Sequence, residues 1–256
     1  MRLPALLGLL IAWPLAAGAA EPPRAMAPLD PDVHYDKCLD AARQSPKDGL
    51  AQAEDWHNDG GGFPADHCAA VALFGLKRFA EAAQRFEALA GAMMKEKPAL
   101  RAGALQQAGQ AWLLAGDAKR ARQALDAALA YTPNDPDLFI DRARADAEAQ
   151  DYKTAIADLD RALALAPGRA DALIYRGAAY RQLDQLAPAR ADIDAALKAT
   201  PDNVDGLLER GNIRRLAGDA AGAGDDWRRV EKLAPSSPAA AAAKANLARL
   251  AVGEKK

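Results

Sequence analysis

Aromatic side chains are scarce in this chain of 256 residues, which has four tryptophans, five tyrosines and five phenylalanines. Rings cannot fill one large globular core here. The abundant alanine instead suits closely packed helices, because alanine loses no side-chain entropy in a helix. An excess of charge of one sign is also missing. The formal net charge is −2, from 33 basic and 35 acidic residues, and removal of Arg2 with a leader makes it one unit more negative. That balance argues against a nucleic-acid binder, which would show a basic patch. No glycine-rich phosphate loop, G-x-S-x-G elbow or H-E-x-x-H motif is present, so the sequence reads as non-enzymatic, without metal or cofactor. Gly60-Gly61-Gly62 follows a helical segment rather than a strand and reads as a turn. Alternating apolar runs of strand length are absent too, which predicts an almost wholly helical chain.

Long apolar stretches are confined to the start. Arg2, the run from Leu3 to Ala17 and the Ala17-Gly18-Ala19 site together predict a secretory signal over residues 1–20, cleaved after Ala19 or Ala20. The run is short for a membrane anchor and Pro14 interrupts it. The mature protein is therefore expected in the periplasm, without membrane insertion, behind a proline-rich tether at 21–32.

What is present is a period. Pro133, Pro167, Pro201 and Pro235 stand 34 residues apart, as do Gly109, Ala143, Gly177 and Gly211, and likewise Ala121, Ala155, Ala189 and Ala223. Three rows with one spacing predict stacked helix-turn-helix units. Leu138 to Ala149 and Lys153 to Ala166 read as the two helices of one unit, and the proline marks its end. Units are assigned to 102–135, 136–169, 170–203 and 204–237.

With Leu173, Arg176-Gly177, Tyr180, Ala189, Ile193, Ala196 and Pro201 in one unit, and matching residues in its neighbours, the chain resembles the tetratricopeptide repeat family. The resemblance implies an all-α, right-handed solenoid. Asp146 and Arg214 occupy positions where the family has an aromatic, and they are expected to be locally exposed. A looser unit is placed at 63–101, with Gly91 to Lys97 adding about five residues. Val33 to Arg43 and Ser45 to Asn58 read as a helix pair that forms an N-terminal cap over 33–62. Ser236-Ser237-Pro238 opens a C-terminal capping helix within 238–256, with Lys244 and Arg249 outward.

The units can be compared with each other. Arg142, Arg176 and Arg210 are 34 apart, and so are Asp158, Asp192 and Asp226, whereas the first regular unit has Ala108 and Ala124 at both places. Joint presence and joint absence predict an Arg–Asp contact within or between units, and a ligand role for the arginines is the alternative.

Both cysteines and all three histidines (His34, Cys38, His57, His67, Cys68) fall in the first 68 residues. In an exported chain, Cys38 and Cys68 read first as a disulfide between the first helices of consecutive units. A His/Cys metal site and free thiols stay open.

The resemblance also implies function. First helices of the family line a concave groove that receives peptides or partner helices. Carried over, one groove row is Gln106, Ile140, Ile174 and Leu208, and another is Gln110, Arg144, Ala178 and Asn212. Tyr175, Arg181 and Arg215 join them. The aliphatic row would offer apolar rungs and Arg144, Arg181 and Arg215 positive charge, for a partner segment with some acidic character. Packing between repeats, and ion pairs to Asp141, Asp184 or Glu209, are the competing roles. The expected function is a non-catalytic protein-interaction scaffold of the bacterial envelope. An accessory subunit for envelope assembly, or a metal-handling or enzymatic protein built on the His/Cys cluster, are the alternatives.

Overall fold

The computed structural model describes residues 33–253. The signal and tether assigned to residues 1–32, and the last three residues, lie outside them. Thirteen α-helices and no strand occur among the described residues. Helices α1 (Val33–Gln44) and α2 (Pro46–Asn58) open the chain. Then come α3 (Gly62–Gly75) with α4 (Phe79–Ala92), α5 (Pro98–Leu114) with α6 (Ala118–Tyr131), α7 (Pro136–Glu148) with α8 (Tyr152–Leu165), α9 (Ala170–Gln182) with α10 (Leu186–Ala199), and α11 (Val204–Leu216) with α12 (Ala220–Leu233). Helix α13 (Pro238–Gly253) closes the array. Apart from α1, which packs on α3 as much as on α2, each helix packs chiefly on its neighbours in sequence, so the molecule is an α-solenoid.

The stops are local chemistry. The residue before a proline is pushed out of the helical region. Thr132, Ala166, Thr200 and Ala234 accordingly have φ between −142° and −132° with ψ of 63° to 82°. Between the helices of a unit, a left-handed residue recurs at Gly116, Gln150, Asp184 and Gly218, again 34 apart. Glycine serves twice, and two residues with side chains bear a conformation that costs them about 1 kcal/mol. The next residue caps the second helix, where Asp117, Asp151 and Asp219 accept from the backbone N–H groups of Arg120, Thr154 and Gly222.

Small residues set the helix approach within a unit. A Cβ added to Gly109 would come 2.6 Å from Leu125 Cγ, one on Gly177 2.9 Å from Ile193 Cδ1, and one on Gly211 2.4 Å from Trp227 Nε1. Each unit seats one large apolar side chain in that gap, and Leu125, Leu159, Ile193 and Trp227 are all fully buried.

The arginine and aspartate rows meet between the helices of one unit. Arg142, Arg176 and Arg210 each make a two-pronged contact, to Asp158, Asp192 and Asp226, at 2.6 to 2.9 Å. Two arginines also reach the second helix of the preceding unit, Arg142 to Asp126 and Arg176 to Asp160, both at 2.6 Å. One guanidinium thereby ties three helices together.

Asp146 is a correction. It was expected at the surface, yet it is 2% exposed and paired with Arg122. Burial pushes its carboxyl pKa up to about 6, against the pull of Arg122. It fills the place that Trp112 and Tyr180 hold in other units. Arg214, at the same register, is half-buried and donates to Asp226 at 2.8 Å.

Cys38 and Cys68 form a disulfide from α1 to α3, with Cα atoms 6.1 Å apart, so neither sulfur is a free thiolate for a metal. Beside it, Tyr35 Oη lies 2.8 Å from His67 Nδ1, and His67 Nε2 lies 2.9 Å from Gln107 Oε1. The acceptor at Gln107 calls for a proton on Nε2, which leaves Nδ1 to accept from the tyrosine hydroxyl. Burial drives the His67 pKa down to about 4, and burial raises that of Tyr35 to about 12.

Candidate functional site

First helices of neighbouring units approach one another, α5 to α7, α7 to α9, α9 to α11 and α11 to α13, more closely than second helices do. The first helices therefore form the inner side of the stack, and their free face is the surface where a partner could be gripped from several units at once.

Of the residues expected there, the three aliphatic rungs are not surface groups. Ile140, Ile174 and Leu208 are 5%, 6% and 2% exposed. The reason is the close approach of successive first helices. A Cβ on Gly206 in α11 would come 3.4 Å from Ile174 Cδ1 in α9. These side chains pack repeat against repeat. Arg181 is a second correction, because its guanidinium donates to Glu209 at 2.7 and 3.3 Å and both side chains are 2% exposed. It is a buried tie between α9 and α11. Breaking it would leave a buried charge unpaired.

The remaining residues do reach the inner surface. Arg144 is half-buried, donates to Asp141 at 3.1 Å and lies over the Tyr175 ring at 5.7 Å. Asp141 accepts from Gln106 at 2.8 Å and Gln110 at 2.9 Å. Asn212 donates to Glu209 at 3.3 Å and accepts from Asn246 of α13 at 3.0 Å. Arg215 is exposed on the last turn of α11. At the other end of the face, Arg169 bridges Asp137 (2.8 Å) and Asp171 (2.9 Å). Asp205, one unit on, has its carboxyl pKa raised by burial and by Glu209.

A polar row missed from sequence runs through this face. Gln107, Asp141, Tyr175 and Glu209 are 34 apart, and three of them are buried and bonded across units, Gln107 to α3, Asp141 to α5 and Glu209 to α9. The period itself would have exposed this row, lying as it does one residue beyond the aliphatic row. The result is a firm face with its hydrogen-bonding groups fixed in place, carrying carboxylates as well as arginines. No group of three or more His, Cys, Asp or Glu side chains placed to hold a metal occurs among the described residues. No helix among them is long and apolar enough to cross a membrane.

The architecture is that of an α-solenoid of helix hairpins with a 34-residue unit. No protein-family model matches the chain, and no curated protein matches it. Solved structures do. A tetratricopeptide repeat protein from Parabacteroides merdae is similar over 85% of this chain and 82% of its own, with 15% identity and a TM-score of 0.65. TTC0263, a thermophilic repeat protein of Thermus thermophilus, matches over 75% of this chain and all of its own, at 18% identity and a TM-score of 0.59. YrrB, described as a repeat protein with an unusual peptide-binding site, matches over 75% and 96% at 18% identity, TM-score 0.51. The chain has the tetratricopeptide-repeat fold.

Proposed function

We propose that this protein is a non-catalytic scaffold that holds a segment of a partner protein on the inner face of its first helices. One observation carries the reading. Gln106, Gln110, Arg144, Tyr175 and Asn212 are half-exposed on consecutive first helices, and most are already fixed by hydrogen bonds. A surface ordered before binding loses less entropy when a partner docks. The peptide site ascribed to YrrB, on the same fold, supports the reading. With the aliphatic row buried, recognition here is polar, and a single short peptide would bind at about micromolar strength. The test is photo-crosslinking from position 110, followed by binding of the captured partner to folded Tyr175→Ala and Arg215→Glu variants. Weakening by either supports the inner face, and unchanged binding by both refutes it.

We place this scaffold in the bacterial envelope after export. The buried Cys38–Cys68 bridge supports an oxidising compartment, as does the signal-like residues 1–20. Fractionation with sequencing of the mature N-terminus tests this, and a cytoplasmic protein beginning at Met1 refutes it.

A further inference from the structure

Helix α13 continues the 34-residue register into a unit whose second helix is absent among the described residues. Pro238 follows Pro136, Ala170 and Val204 in register, and Asn246 follows Asn212, to which it is hydrogen-bonded. On α13, Ala241 stands where Phe139, Leu173 and Leu207 stand. Lys244 stands where Arg142, Arg176 and Arg210 stand, and Ala245 where Gly109, Ala143, Gly177 and Gly211 do. In the four regular units the small residue at the last of these positions is buried against the unit's own second helix. In α13, Ala241, Lys244, Ala245 and Ala248 are exposed. The packing surface that runs through the stack thus continues onto α13, where it is uncovered among the described residues.

We propose that this outer face of α13 docks an amphipathic helix of a protein partner that presents an acidic residue followed directly by a large apolar one. The occupant's chemistry is set by the four existing pairs. Leu125, Leu159, Ile193 and Trp227 cover the small residue, and in three units an aspartate immediately before them, Asp158, Asp192 or Asp226, pairs with the arginine. Charge agrees. Helix α13 holds Lys244 and Arg249 and no acidic residue, and Lys244 has no ion-pair partner among the described residues. A helix laid along Ala241, Ala245 and Ala248 could approach as closely as second helices do elsewhere, with its acid over Lys244. Two copies of α13 facing each other would set lysine and arginine against like charges, which argues for a different molecule.

The probe is a stapled, capped peptide with the sequence of residues 152–165, which carries Asp158-Leu159 on a preformed helix. It is titrated into the ¹⁵N-labelled full chain. Saturable amide shifts confined to α13 are expected, with a dissociation constant in the range of about 0.1 to 1 mM. Ala245→Glu, at an exposed position, should abolish them, because its side chain takes the place of the incoming leucine. Lys244→Glu should weaken binding by about threefold, the effect of one exposed charge pair, and an Asp158→Lys peptide should bind that variant better than it binds the native chain. No shifts at millimolar peptide, shifts on the inner face, or binding indifferent to Ala245→Glu would overturn the proposal. Sedimentation of the chain alone supplies a further check. Self-association that Ala245→Glu abolishes would assign the face to a second copy and overturn the partner helix.

Discussion

The N-terminal helices and the regular stack solve one problem, holding helix hairpins together, by different means. In α1 to α4, successive units are joined by a covalent bridge and by the neutral Tyr35–His67–Gln107 chain of hydrogen bonds. From α5 to α12 the ties are repeated small-to-large contacts and, from α7 onward, arginine–aspartate clamps. A periodic stack can reuse one interface, since each unit meets an almost identical neighbour. The first units have no such register, so individual cross-links hold them. Damage should therefore spread differently, with loss of a seat in the stack weakening adjacent units and loss of a cross-link freeing the end.

The largest effect is expected in the stack. Trp227→Ala empties the fully buried seat over Gly211 and should cost about 3–5 kcal/mol in denaturant unfolding. Hydrogen exchange should show α11 to α13 opening while α1 to α4 stay protected. Equal loss of protection at both ends would refute the idea that neighbours carry the damage.

Replacing Cys38 and Cys68 together by alanine comes next, at about 3–4 kcal/mol on the chain-entropy account of a bridge spanning 30 residues. The loss should fall on α1 and α2, with exchange rates of α7 to α12 unchanged. A uniform drop along the chain would mean that the cap governs the whole fold.

His67 is expected to make the N-terminal region acid-sensitive in a way the stack is not. Its folded pKa near 4 lies below the ordinary 6.5 because burial disfavours the imidazolium. The neutral form's contribution is thus complete above pH 6.5 and is lost as pH falls towards 4, to the extent of about 3 kcal/mol. Asp146 acts in the opposite sense. Its raised pKa means that its contribution is present below the ordinary 3.8 and lost as pH rises towards 6. Unfolding measured across pH 4 to 6.5 should therefore show local loss in α1 to α5 at the acid end. His67→Gln should flatten that slope, and a slope left unchanged would assign the acid response to other groups.

The smallest effect concerns the clamps. A double-mutant cycle on Arg176→Ala and Asp192→Ala should give a coupling of about 1–2 kcal/mol, because Arg176 is partly buried and retains Asp160 when Asp192 is lost. Simple additivity would show that the clamp contributes only register.

Period-bearing features were the legible ones. The helix hairpins, the stops before proline, and the arginine and aspartate rows all appear as recurring residue types, and the lone cysteine pair in consecutive first helices was readable from its spacing. Less legible was which face each recurring residue would meet. Ile140, Ile174 and Leu208 were read as groove rungs, and Arg181 as a binding cation, because helical spacing places them on the first-helix side. How closely one first helix approaches the next is a property of the stack, and that distance buries all four. Asp146 was read as exposed because a carboxylate seldom replaces a buried aromatic, but Arg122 from the preceding unit reaches it.

By itself, the sequence determined the helical class, the 34-residue unit and the matched arginine and aspartate rows, because those depend on residue types recurring at one spacing; that the rows meet within a unit came from the structure. Only the tertiary structure decided the contacts between units: the second aspartate of the Arg142 and Arg176 clamps, the Tyr35–His67–Gln107 chain, the buried Arg181–Glu209 pair and the uncovered face of α13. Those depend on the angle and separation at which one hairpin meets the next, which side chains from two or three units fix jointly and no single repeat encodes.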